Sequence, residues 1–122
     1  MASRGVYYIG TGVSGGYQSA RRGPSMSPGG DKHGVNAILP FLERVAAKDS
    51  KGQPCVGNMG NGGSGHYVKT IHNGIEQGML SVLCEAWGIM LDCLGINYDT
   101  IGKVLERWNA GGELVFGYIS KD

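Results

Sequence analysis

The stretch "VYYIGTGVSGG", residues 6–16, sets Gly10, Gly12 and Gly15 in the spacing G-x-G-x-x-G just after a β-favouring run. That spacing after a strand is the usual mark of a dinucleotide-binding loop, where glycines let the backbone approach a pyrophosphate at a helix start. Three readings are open: that fingerprint, a tight glycine turn between elements, or a loop for an anion or polar ligand. In the third, Ser14, Gly15 and Gly16 present backbone N–H groups at a helix start. The fingerprint also demands a full helix, a second strand and an acidic residue about 20 positions on. Here the helix after Gly15 is stopped at Gly23-Pro24, and Asp31 falls in a Pro-Gly-Gly turn. These departures weigh against the fingerprint and leave the other two readings open.

Around this stretch the chain reads as α/β. Residues 5–9 form a short strand-like run that the glycines end, and residues 17–22 allow a turn and a half of helix. Residues 25–30 read as a strand or a loop with a turn. Apolar residues at 35, 38, 39, 42, 45 and 46 have helical spacing, with the regular helix expected to start near Pro40. Residues 54–59 suit a short strand.

From residue 61 the character changes. Asn61-Gly62-Gly63-Ser64 reads as a loop with Ser64 as N-cap. No proline follows up to Leu94, and apolar residues at 68, 71, 75, 79, 82, 83, 86, 89, 90 and 93 keep a 3.6-residue period. Gly95 is placed as the stop. A helix of some 30 residues would be roughly 45 Å long, and its apolar stripe calls for partners. Asp99 or Thr100 is expected to cap a second helix ending near Asn109, and residues 113–120 lean to helix. The expected fold class is an α/β segment, 1–60, followed by an all-α segment, 61–122. Neither half reads as complete, so the expectation is a segment of a larger protein or a chain that depends on oligomerisation.

Composition narrows the function classes. Of 122 residues, 23 are glycine, more than twice the usual share of about 7%. They cluster between periodic segments without a collagen repeat. Eleven basic and ten acidic residues give a net charge of +1 with no charged block, which speaks against nucleic-acid or membrane-surface binding. No signal peptide is visible, and the apolar window 79–96 contains Glu85 and Asp92, as a buried helix does. Cys84 and Cys93 lie on one predicted helix, roughly 13 Å apart, too far to bridge. With Cys55 they read as reduced thiols of a cytosolic protein.

The chemistry concentrates in "GSGHYVKTIHNGIEQG", residues 63–78. Lys69, His72, Asn73 and Glu76 stand at i, i+3, i+4 and i+7, on one face of a helix. A plain solvated face is one explanation. Gly74 and Gly78, each costing the helix about 1 kcal/mol, suggest instead close approach by a ligand or another backbone. A lysine and a glutamate on one stripe suit opposite proton transfers on one small substrate. With one His on the face, no second His at i+4 and no carboxylate pair, no metal is implied.

Taken together, "GTGVSGGYQSARRGPSMSPGG" (10–30), "PCVGNMGNGGSGH" (54–66), "GHYVKTIHNGIEQG" (65–78) and "LCEAWGIMLDCLG" (83–95) resemble the decarboxylating 6-phosphogluconate dehydrogenases of the pentose phosphate pathway. The wider β-hydroxyacid dehydrogenase superfamily shares only V-S-G-G and a G-x-x-x-K-x-x-x-N pattern, here Gly65, Lys69 and Asn73; His72 and Glu76 favour the phosphogluconate enzymes. The resemblance implies an NADP-binding Rossmann-type domain whose C-terminal part is residues 1–60. Residues 61–122 would then be the first helices of an all-helical substrate-binding domain that forms a homodimer. It implies Lys69 as general base, Glu76 as general acid, and Ser14, Gly15, Gly16, His72 and Asn73 as contacts to 6-phosphogluconate. Asn73 is also implied as a nicotinamide contact, and the main NADP loop is expected outside this chain, which alone should be inactive. The chain carries Tyr17 where the family usually has Glu, and Gln77 where it usually has Tyr. A helical self-association module and another β-hydroxyacid dehydrogenase are the alternatives.

Overall fold

A computed structural model of the chain describes residues 2–110. The helix expected at 113–120 lies outside the described residues. The chain forms two compact units, Met1–Gly74 and Ile75–Asp122.

In the first unit, β1 (Ile9–Ser14) and β2 (Ser25–Gly30) form an antiparallel pair, with Ile9 opposite Gly30 and Ser14 opposite Ser25. The short helix α1 (Gly16–Arg22) joins them. Residues 5–8, expected as the strand, are not in it; the strand is the glycine segment itself, because β2 supplies it with partners. Along the other edge of β2 runs the 55–60 segment. Met26 N–H donates to Cys55 O at 3.0 Å, Met59 N–H to Pro28 O at 2.9 Å and Gly30 N–H to Gly60 O at 2.9 Å. The short strand expected at 54–59 is thus a backbone-bonded flank, with a single parallel bridge, Met26 to Val56.

Helix α2 (Lys32–Val45) starts eight residues before Pro40. Asp31 is its N-cap, its Oδ1 accepting from His33 N at 2.9 Å and Gly34 N at 3.3 Å. Pro40 is tolerated inside because it is exposed, as is Asn36, whose carbonyl loses its donor there and stays open to water. Leu42 and Ala46 pack on Met26 of β2, with Val56 against them.

Helix α3 (Ser64–Gly88) runs on without interruption into a π-helical turn, Ile89–Cys93. The wide turn shows in Leu94 N–H donating to Ile89 O at 3.1 Å. Gly95, at φ 62°, ends the helix as expected. Ser64 does not cap: its hydroxyl is buried without a partner. Most of the apolar stripe stays uncovered in this chain, with Ile75 59% and Val82 65% exposed. In the second unit, α4 (Tyr98–Ala110) is capped by Asn97 rather than Asp99 or Thr100. The Asn97 side chain accepts from Thr100 N at 2.9 Å, because it sits three residues back, where a cap must be. Ile101 and Met90 are buried, and the Trp87 and Tyr98 rings lie 5.9 Å apart. Among the described residues, no helix is long and apolar enough to cross a membrane.

Candidate active site

Successive residues of a strand face opposite sides. On β1, Gly10, Gly12 and Ser14 share one side, and α3 begins against it. A Cβ at Gly65 would fall onto Gly10 O and Ser27 O, and lie 2.8 Å from Gly29 N. A Cβ at Gly12 would meet Ser27 Oγ and the Lys69 Cβ, the latter at 2.5 Å. A Cβ at Gly10 would lie 2.5 Å from the His66 ring Nδ1. The glycines are therefore seats for the first turns of α3, and the ground that a pyrophosphate would need above Gly10 and Gly12 is filled by protein. The dinucleotide reading of this spacing is overturned, and Asp31 serves as a helix cap, not as a ribose partner.

This seating carries Lys69 to the end of β1. Its Nζ donates to the Ser14 hydroxyl, and both residues are half-buried. Ser27 Oγ ties the helix start to the sheet by donating to Gly65 O at 3.1 Å. After Ser14, Gly15 (φ 123°) and Gly16 (φ 55°) turn the chain into α1 in conformations that favour glycine. One turn beyond Lys69, His72 Nδ1 and Asn73 Oδ1 lie 3.2 Å apart on exposed side chains. Of the expected site residues, the structure joins Lys69 to Ser14, which the Gly15-Gly16 turn follows along the chain, with His72 and Asn73 next along the same helix. Glu76, half-buried, stands on the same continuous α3 two residues into the second unit. Ser27 was not singled out from the sequence; a serine between two strand-like positions carries no signal of the carbonyl it will meet.

Residues 1–63 match the family description "NAD binding domain of 6-phosphogluconate dehydrogenase". Residues 65–119 match "6-phosphogluconate dehydrogenase, C-terminal domain". The chain belongs to the 6-phosphogluconate dehydrogenase family. It is 56% identical over 94% of its length to a decarboxylating 6-phosphogluconate dehydrogenase of Emericella nidulans, covering 23% of that protein. To the Schizosaccharomyces pombe enzyme it is 44% identical over 91% of its length, again 23% of the relative. Among solved structures it is similar to Plasmodium falciparum 6-phosphogluconate dehydrogenase, described in its apo form, with its cofactor NADP+ and with its substrate 6-phosphogluconate. There the TM-score is 0.83 at 38% identity, over 90% of this chain and 23% of that one. The chain thus spans about a quarter of the length of the relatives it matches.

Proposed function

We propose that this chain carries the acid–base helix and the substrate-side loop of an NADP-dependent, decarboxylating 6-phosphogluconate dehydrogenase. The observation that carries the reading is the Lys69–Ser14 hydrogen bond. It sets the ammonium of the K-x-x-H-N-G-x-E helix against the V-S-G-G loop, in a chain of this family. Residues 1–60 are read as the end of the cofactor domain and 61–122 as the start of a helical domain. The two family matches, which meet between residues 63 and 65, support that division.

The chemistry follows from the side chains. Lys69 Nζ, once deprotonated, takes the proton of the C3 hydroxyl of 6-phosphogluconate while the C3 hydride leaves. NADP+, when bound, supplies the hydride acceptor; the glycine spacing of this chain gives it no cradle, and Asn73 is the residue offered to its nicotinamide. The resulting 3-keto acid loses its carboxylate as CO2, the ketone drawing the electron pair into an enediol. Glu76 delivers a proton to C1 of that enediol, giving ribulose 5-phosphate. Ser14 and the Gly15 and Gly16 backbone, with His72 and Asn73, hold the substrate in register. The exposed apolar face of α3 fits the expected homodimer, and the three free thiols fit a cytosolic enzyme.

In an enzyme of full family length carrying this chain, Lys69→Met should lower turnover by roughly 10²–10⁴-fold. Calorimetric binding of 6-phosphogluconate should largely persist. Near-normal turnover would remove Lys69 from the base role.

A further inference from the structure

The reverse side of the β1–β2 pair carries a second concentration of charge. Gly12 and Ser14 look towards α3, so Val13, between them, looks the other way. An open depression of about 680 Å³ lies there, lined by the apolar Val13 and Ala46 and by Arg21, Arg22, Arg44 and Lys48. Among the described residues, no Asp or Glu lines it. Four of the eleven Lys and Arg residues of a nearly neutral chain thus meet in one place. Arg21 and Arg22 occupy the last turn of α1, and Arg44 the last turn of α2. Two helix C-termini amount to about one negative charge in all, well short of four cations. Lys48 Nζ is turned onto Glu43 O at 2.5 Å, which fixes its ammonium near the rim. The three guanidiniums are exposed and available as two-pronged donors.

We infer that this depression binds a small, multiply charged phosphate compound, at a site separate from the Lys69–Ser14 pair and on the opposite face of the same strands. Its volume falls in the range of small-molecule sites, whereas a nucleic-acid surface would need a longer basic track than these four residues make. The guanidiniums take its phosphates, and the apolar lining takes the rest of the ligand.

Inorganic pyrophosphate titrated into the full chain, followed by calorimetry and by amide chemical shifts, tests this. Saturable binding is expected, with shifts centred on residues 20–24 and 44–48. Arg21→Gln/Arg22→Gln/Arg44→Gln should weaken it roughly tenfold or more, while Lys69→Met leaves it unchanged. Circular dichroism checks that the triple variant is folded; the exposed Arg22→Gln alone, expected to weaken binding several-fold, serves if it is not. Absence of saturable binding up to about 10 mM would overturn the inference. So would shifts centred on Ser14, Gly16 and Lys69, or equal affinity in the arginine variants.

Discussion

Two sets of glycines in this chain occupy opposite surroundings. At Gly10, Gly12, Gly29 and Gly65 an added Cβ would strike another part of the protein; at Gly74 and Gly78, on the same long helix as Gly65, it would meet nothing within 4 Å. In the first set, glycine is the condition for seating a helix on two strands. In the second, no described atom requires a glycine, and its effect on the helix is to weaken it. The difference teaches that glycine-rich sequence is not one signal: the same residue marks a contact already made and a space kept open.

The comparison can be broken most forcefully at Gly65. Gly65→Ala sets a methyl group against two backbone carbonyls that cannot turn away, and should cost about 3 kcal/mol or more. Urea unfolding would show it, and a wild-type midpoint would disprove the tight seat. Gly12→Ala should cost about 2 kcal/mol, since the Ser27 hydroxyl and the Lys69 stem must both yield. It should also free the Lys69 ammonium from Ser14, visible as a changed lysine Nζ environment by nuclear magnetic resonance. Gly10→Ala meets the His66 ring first and should cost about 1 kcal/mol. Combining it with His66→Ala should recover most of that loss, and strictly additive effects would exclude the ring as the obstacle. Smallest and opposite in sign, Gly74→Ala should stabilise the chain by about 1 kcal/mol. Destabilisation there would mean that the open space is needed by the fold itself. If a substrate or a second backbone uses it, the stabilised variant should bind 6-phosphogluconate more weakly in an enzyme of full family length carrying this chain.

Much of the fold was legible beforehand. The unbroken period of α3, its stop at Gly95 and the change from mixed to helical character at about residue 61 all appear in the structure. Local chemistry suffices for these, since a 3.6-residue apolar period and a glycine stop act over neighbouring residues. The extent of α2 was misjudged at Pro40, because whether a proline breaks a helix depends on which side of it faces water. The cap of α4 shifted from Thr100 or Asp99 to Asn97, and the Ser64 hydroxyl does not cap α3, because several polar residues compete near a helix start and packing selects among them. The site was legible as a set of residue types on one helix face. Its partner across the chain was legible only through the family resemblance, which sets the Ser14-Gly15-Gly16 loop facing Lys69: the two residues are 55 apart, and no periodicity links them.

The sequence by itself determined the long helix α3, the polar stripe of Lys69, His72, Asn73 and Glu76 on it, and a motif set particular enough to point to one enzyme family. Only the tertiary structure decided what G-x-G-x-x-G is for. A missing Cβ can serve a turn, a phosphate or a neighbouring backbone equally well, and the choice rests on which atoms lie opposite. For Gly10 and Gly12 they are His66, Lys69 and Gly65 of α3 with Ser27 of β2, and for Gly15 the Ser19 side chain of α1, so two of the three glycines in a nucleotide-like spacing seat the helix that carries Lys69 to Ser14.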